Sequence, residues 1–108
     1  MMKFLCLAYG AEKDWLKLTE EERSALIAQD EVIRSKGNLV SALESRVITL
    51  RAWDGTPALA EEPYARSAAP LAGFAIIEAR TVHEVVALIA NTPCARAKGA
   101  IEIRRLAE

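Results

Sequence analysis

The feature of this sequence that most constrains its fold is a pair of short segments that are apolar at both alternating sets of positions. In KFLCLAY (3–9), one set is Phe4, Cys6 and Ala8, and the other is Leu5, Leu7 and Tyr9. In GFAIIEAR (73–80), Phe74 and Ile76 alternate with Ala75, Ile77 and Ala79. Successive side chains of a strand point to opposite faces, and a sheet with one hydrated face alternates apolar with polar residues. Both faces of the predicted sheet must therefore be covered.

Capping signals and turn residues divide the rest of the chain into helices and further strands. Thr19 followed by Glu22 is a capping box that opens a helix over 20–37, where Gly37 ends it. Thr81 and Glu84 repeat the pattern and predict a second helix through about Asn91, ended by Pro93. The remaining predicted strands are 39–45, 47–53 and 100–106, and 56–72 is the one long irregular segment.

The resulting order is strand, helix, strand, strand, strand, helix, strand. With one middle strand removed, this is the split βαβ or ferredoxin-like pattern, so the expected fold is α+β, ferredoxin-like, with an additional strand. At 108 residues the chain is expected to form one domain, 1–108. Two helices cover only one face of such a sheet. A second copy is the simplest cover for the other, which predicts a homodimer of the dimeric α+β barrel type. The alternative is a monomer whose 56–72 segment folds across that face.

Composition excludes several classes of function. Hydrophobic residues make up 52% of the chain and charged residues 27%, as in globular domains. The net charge of -1 gives no electrostatic footprint for nucleic acid or an anionic membrane. No apolar run approaches the roughly 18 residues of a membrane span. One histidine and two distant cysteines form no metal-ligand set, and no dinucleotide or phosphate-loop motif is present, so no cofactor is expected. The absence of an export signal predicts a cytoplasmic protein with reduced thiols.

Two titratable residues are candidates for acid–base catalysis. Asp30 lies at the edge of the apolar face of the first helix, where burial would raise its pKa. The alternative is a rim carboxylate paired with Arg34, one turn further along. His83 occupies the first turn of the second helix, where the helix dipole favours the neutral base. The alternative is an ordinary solvated histidine.

Four residues are candidates for ligand binding. Tyr64, Arg66 and Ser67 lie in the long 56–72 segment, and long loops often carry binding residues. The Arg66 guanidinium would clamp a carboxylate, and Tyr64 would stack or donate a hydrogen bond. Tyr9, at the end of the first strand, would add a hydroxyl to the same cleft. The alternatives are a surface loop ordered by Tyr64 and a core tyrosine at position 9.

Almost the whole chain resembles the YCII-related family, specifically its DGPF-type branch. The resemblance rests on MKFLCLAYG, LTEEERSALIAQDEVIRSKGNLV, EEPYARSAAPLAGFAIIEA and NTPCARAKGAIEIRRL in that order. It implies a ferredoxin-like fold and a dimer. Members of this branch are bacterial and are sometimes encoded near, or fused to, sigma factors of the extracytoplasmic-function type.

The chain departs from that family at the residues that carry chemistry. Glu61-Glu62-Pro63-Tyr64 stands where the branch has Asp-Gly-Pro-Phe. Some members use a His–Asp pair, and the resemblance aligns Asp30 with that histidine and Thr92 with that aspartate. Neither partner is retained.

Three functions remain open on these grounds. The first is a dimeric domain that binds a small organic molecule in a cleft between helices, sheet and the 56–72 segment. The second is a cofactor-independent lyase or isomerase that uses Asp30 or His83. The third is a non-catalytic regulatory or interaction module tied to sigma-factor signalling.

Overall fold

The computed structural model describes residues 1–107, which form six strands and four helices. The strands are β1 (Met2–Tyr9), β2 (Leu39–Ala42), β3 (Thr49–Arg51), β4 (Ala58–Ala60), β5 (Leu71–Ala79) and β6 (Ala100–Arg105). The helices are α1 (Glu12–Trp15), α2 (Glu20–Ser35), α3 (Val82–Ile89) and α4 (Pro93–Arg96). No helix within these 107 residues is both long enough and apolar enough to cross a membrane.

Four strands form the main sheet in the order β2-β5-β1-β6, with every neighbouring pair antiparallel. The two strands that are apolar on both faces, β1 and β5, lie at its centre. The predicted α+β class is confirmed, and the strand order is compatible with the ferredoxin-like pattern. The additional strand does not join this sheet, because β3 pairs with β4 as a separate two-stranded sheet.

Two predictions from the sequence are corrected in the region between β2 and β5. The strand expected at 47–53 is limited to β3, and the 56–72 segment is not wholly irregular because it contains β4. The turn between them is formed by Asp54, whose carboxylate accepts a hydrogen bond from the Thr56 amide, and by Gly55 with φ of 88°. Asp followed by Gly is a common turn signal, but the second strand of this hairpin has only three residues and no alternating pattern of its own.

The helix boundaries are also partly corrected. The capping box of α2 is complete, with the Thr19 hydroxyl and the Glu22 carboxylate each accepting an amide hydrogen bond. The helix expected to reach Asn91 ends at Ile89, and Pro93 begins α4 instead of ending a helix. Proline suits this position because the first turn of a helix leaves its amides unpaired, so a missing N–H costs nothing there.

The helices pack on one face of the main sheet and form the core with it. Phe4 and Ile77 are cross-strand neighbours on that face, and both are buried. Ile33 of α2 and Val85 of α3 close over them and are also fully buried. The region around these four residues is referred to below as the packed half of the helix-facing surface.

The opposite face of the main sheet is apolar along its centre, as the alternation in the two central strands predicted. Cross-strand pairing places Leu5 beside Ile76 and Leu7 beside Phe74, and all four are only half-buried. Leu39 on the neighbouring β2 is 53% exposed. This surface is referred to below as the open face.

Candidate functional site

A cleft of about 450 Å³ lies between the main sheet and helices α1, α2 and α4. Its floor is a row of small residues that face the helices from three adjacent strands: Ala42, Gly73 and Ala8. The next row contains Ala75 and Cys6, which are also small. These two rows are referred to below as the cleft half of the helix-facing surface. Because protein interiors otherwise pack at the density of organic crystals, the missing side-chain volume leaves space above this part of the sheet.

One floor position is restricted to glycine by the approach of the neighbouring strand. A Cβ atom on Gly73 would lie 2.7 Å from the backbone oxygen of Ser41, which is closer than van der Waals contact allows. Gly73 therefore keeps β2 against β5 at this point and leaves the floor of the cleft without a side chain.

Asp30 reaches this cleft from the middle of α2. Burial raises the pKa of its carboxyl group above the ordinary value, and the neighbouring Glu31 adds to the increase. The charge of Arg34 opposes the shift but does not reverse it. The hydrogen bonds formed among residues 1–107 include none to the Asp30 carboxylate, so its oxygens remain available to accept from a ligand.

Arg34 does not form the ion pair with Asp30 that was the alternative to a functional role. Its guanidinium pairs instead with Glu31, and its Nε donates a hydrogen bond of 3.3 Å to the carbonyl of Val40. These two contacts fix the arginine at the edge of the cleft, between α2 and β2. Asp30 is thus left without a hydrogen-bonded counter-ion on its own helix.

Cys94 brings a thiol to the cleft from α4. Burial and the charge of Asp30 both raise its pKa, so this cysteine is a neutral thiol near neutral pH. The approach of α4 to the sheet depends on Gly99, where a Cβ atom would lie 2.0 Å from the backbone oxygen of Tyr9. The second thiol, that of Cys6 in the floor, has a pKa raised by burial to about 11 and is less reactive still.

The rest of the cleft wall is mostly apolar. Trp15 of α1, Ile33 of α2, Ile89 of α3 and Ile101 of β6 all line it. Glu12, at the beginning of α1, adds a second carboxylate. A molecule that fits here meets an apolar wall interrupted by a few polar groups, which is the usual composition of a small-molecule site.

The second catalytic candidate lies elsewhere. His83 is exposed on α3 and does not line the cleft. Its position matches the alternative of a solvated histidine in the first turn of a helix. The physical reason is that α3 buries Val85 and Ile89 against the sheet, which turns position 83 toward solvent.

None of the four predicted ligand-binding residues lines the cleft. Tyr9 is half-buried and continues the alternation of Leu5 and Leu7 toward the open face. Tyr64 is 77% exposed, and the Arg51 guanidinium lies 5.3 Å from the centre of its ring. The predicted cluster of these residues therefore does not form part of the cleft wall, and of the 56–72 segment only Ala72 lines it.

The other two loop candidates are also absent from the cleft wall. Arg66 is exposed, and Ser67 is exposed and donates its hydroxyl hydrogen bond to the carbonyl of Ala69. The Ser67 contact lies within the loop itself.

Neither the small floor residues nor Cys94 was among the candidate site residues drawn from the sequence. A signal for the floor was present, because alanine and glycine occupy the helix-facing positions where β1 ends, where β2 ends and where β5 begins. It becomes informative only when the strand register places those ends side by side. Cys94 depends on α4, a four-residue helix too short to be read from periodicity. No cluster of residues suited to a metal ion occurs in the described part of the chain.

Two comparisons with known proteins bear on this site. A family model of the YCII-related domain matches residues 2–108, so the chain belongs to the YCII-related family. No curated protein matches it with significant similarity.

Proposed function

We propose that this YCII-related domain binds a small organic molecule in the cleft above the alanine and glycine floor. The observation that carries the proposal is a cleft of about 450 Å³ with an apolar wall and a half-buried carboxylate, Asp30, that accepts no hydrogen bond from the described part of the chain. Ligand sites usually have volumes of about 300 to 1,000 Å³ and a few polar groups that orient the ligand. The cleft meets both conditions.

The resemblance drawn from the sequence supports the same location. It aligns Asp30 and Thr92 with the two members of the His–Asp pair that some relatives use, and both residues line the cleft. Thr92 is buried, and its hydroxyl donates a hydrogen bond of 2.6 Å to the carbonyl of Ile89. The Thr92 hydroxyl is therefore already bonded to the C-terminal end of α3. Of these two residues, Asp30 is the one whose polar group is free to contact a ligand.

A thermal-shift screen against small organic metabolites tests the proposal. Ligands of the cleft raise the melting temperature of the native chain, by an amount that increases with ligand concentration. The variant Ala8→Leu places a larger side chain on the floor and should abolish those increases. Ala28→Leu makes the same replacement on the exposed surface of α2 and should preserve them. If every active compound stabilises Ala8→Leu as much as the native chain, binding occurs outside the cleft and the proposal fails.

Acid–base catalysis in the same cleft is a second candidate, favoured by the raised pKa of Asp30. A carboxyl group with a pKa closer to neutrality exchanges protons with a substrate more effectively. In this function Asp30 would act as the acid or base of a cofactor-independent lyase or isomerase. Turnover of any cleft ligand by the native chain, and its loss in Asp30→Asn, would distinguish catalysis from binding alone.

We further propose that the functional unit is a homodimer formed through the open face. The half-buried residues Leu5, Leu7, Phe74 and Ile76 form a continuous apolar surface on the side of the sheet opposite the helices of residues 1–107. Light scattering should give twice the mass of one chain. Leu7→Lys should reduce it to the mass of a monomer, whereas Ile27→Lys, on the exposed surface of α2, should not change it.

The assignment to the DGPF-type branch is part of the same proposal. It is supported by the Pro63-Tyr64 step that follows β4, where the branch carries proline and phenylalanine. The regulatory alternative is supported less well. It requires an exposed apolar patch without a pocket, and the chain has a pocket, although Leu50 and Leu59 do leave an exposed pair on the β3–β4 hairpin.

A further inference from the structure

The charges around the cleft are unequal and indicate the class of ligand. Two carboxylates, Asp30 and Glu12, line it, and Arg34 is the one cation among its lining residues. Arg34 is already paired with Glu31 and bonded to the carbonyl of Val40. The cleft therefore presents more negative than positive charge to a molecule that enters it.

The groups next to Asp30 do not neutralise it by hydrogen bonding. Cys94 lines the same cleft from α4, and its thiol makes no hydrogen bond to Asp30; burial and the nearby carboxylate raise the pKa of this thiol. Glu31 and Arg34 flank Asp30 on α2 and form a pair with each other. A partly buried carboxylate without a donor is unfavourable, and a ligand that supplies a charged donor relieves that cost.

The remaining wall determines the rest of the ligand. Trp15, Ile33 and Ile101 offer apolar contacts but no hydrogen-bond donor from their side chains other than the indole N–H of Trp15. A carboxylate or phosphate group would meet Asp30 and Glu12 without a free cation to balance it. A neutral hydroxyl group could donate to one of these carboxylates but would bring no charge to balance it.

We propose that the cleft selects an amine, that is, a small molecule with a primary or secondary ammonium group on an apolar body, and that Asp30 is its counter-ion. The ammonium group donates to the Asp30 carboxylate, and the apolar body lies over the floor formed by Ala8, Gly73 and Ala42. This inference rests on the proposed function, since it specifies the ligand of the same cleft.

The experiment compares ligands that share one body and differ in the head group. Hexylamine, hexanol and hexanoate, and the corresponding phenethylamine, phenethyl alcohol and phenylacetate, are titrated into the native chain, and dissociation constants are measured by NMR from resonances of cleft residues. The amines should bind at least about tenfold more tightly than the alcohols, because an ammonium group forms an ion pair with the Asp30 carboxylate in addition to the hydrogen bond that either head group can donate. The carboxylates should bind most weakly.

Variants and pH provide the controls. Asp30→Asn should reduce amine binding to the level of the alcohol, and Glu44→Gln, an exposed carboxylate outside the cleft, should leave it unchanged. Amine affinity should rise with pH as Asp30 ionises, whereas alcohol affinity should change little. The comparison within the native chain stands even if Asp30→Asn does not fold.

The outcomes separate this inference from the proposed function. Equal binding of amines and alcohols at the cleft overturns the selection for amines and leaves a small-molecule site. Tightest binding by the carboxylates also overturns it, because the electrostatic argument then has the wrong sign. If no compound perturbs the cleft resonances up to its solubility limit, both the inference and the proposed function are overturned.

Discussion

The packed half and the cleft half of the helix-facing surface belong to the same strands but differ in side-chain volume. In the packed half, Phe4 and Ile77 are neighbours on β1 and β5, and helices α2 and α3 close over them. Four residues away on each of these strands, the neighbours are Ala8 and Gly73. The backbone pairing continues through both halves, so the sheet itself is continuous. The helices pack closely on it in the packed half and leave a space above it in the cleft half.

This difference shows how one small domain can provide both a stable core and a site. Large side chains in the packed half bury apolar surface, which is the main stabilising contribution to folding. Small side chains in the cleft half give up part of that contribution and leave a volume for a ligand. Asp30 is tolerable there because the cleft admits water, whereas the same carboxylate beside Ile77 would be completely desolvated.

The largest expected effect comes from removing volume in the packed half. Ile77→Ala deletes part of a side chain with no exposed surface, and it should lower the free energy of unfolding by about 2–5 kcal/mol. Ile27→Ala makes the same change on a residue that is 51% exposed and should alter stability by no more than about 0.5 kcal/mol. Urea unfolding measures both. Similar losses in the two variants would mean that the packed half is not the stabilising core.

The packed half was accessible from the sequence because its signals are local. Alternation in 3–9 and 73–80 predicted the central strands, and Thr19 with Glu22 predicted where α2 begins. The β3–β4 hairpin was only half predicted, since β4 has three residues and acquires its structure from pairing with β3. Local patterns identify elements that carry their own periodicity, and they miss short elements that depend on a partner.

A second comparison adds the same volume to each half. Ala79 is 3% exposed in the packed region, so Ala79→Leu should crowd its neighbours and cost about 1–3 kcal/mol. Ala8→Leu extends into the cleft and should cost less than about 1 kcal/mol, because the added atoms occupy existing space. Equilibrium unfolding of the two variants gives the difference directly. Equal costs would show that the cleft closes when the chain is free in solution.

The cleft half was harder to predict for a physical reason. Asp30 was identifiable because one helix turn separates it from the buried Leu26, which is a relation within a single element. The floor arises from the register of three strands, and a one-residue shift in that register would place other residues beside Gly73. Tyr64 and Arg66 were expected near the cleft because they lie in a long segment, but the path of that segment depends on the β3–β4 hairpin, whose second strand was not predicted.

The smallest expected effect concerns the charge of the Asp30 carboxyl group in the cleft half. Because the folded chain raises the pKa of Asp30, the folded state holds this proton more tightly than the unfolded chain does. The contribution of Asp30 to stability is therefore most favourable below the ordinary pKa of aspartate. It declines as the pH rises through the raised pKa, where the folded chain must ionise a partly buried group.

Asp30→Asn removes this titration while nearly preserving the shape of the side chain. The variant should gain up to about 0.5 kcal/mol relative to the native chain at neutral pH, a small value because solvent screens a carboxyl group that is only half-buried. The gain should vanish at about pH 3, where the native Asp30 is protonated. Urea unfolding at both pH values measures it, with Glu44→Gln as the exposed control. A loss of stability at neutral pH would mean that the Asp30 carboxylate has a stabilising partner within the folded protein, and the cleft would then lack the unsatisfied charge that distinguishes it from the packed half.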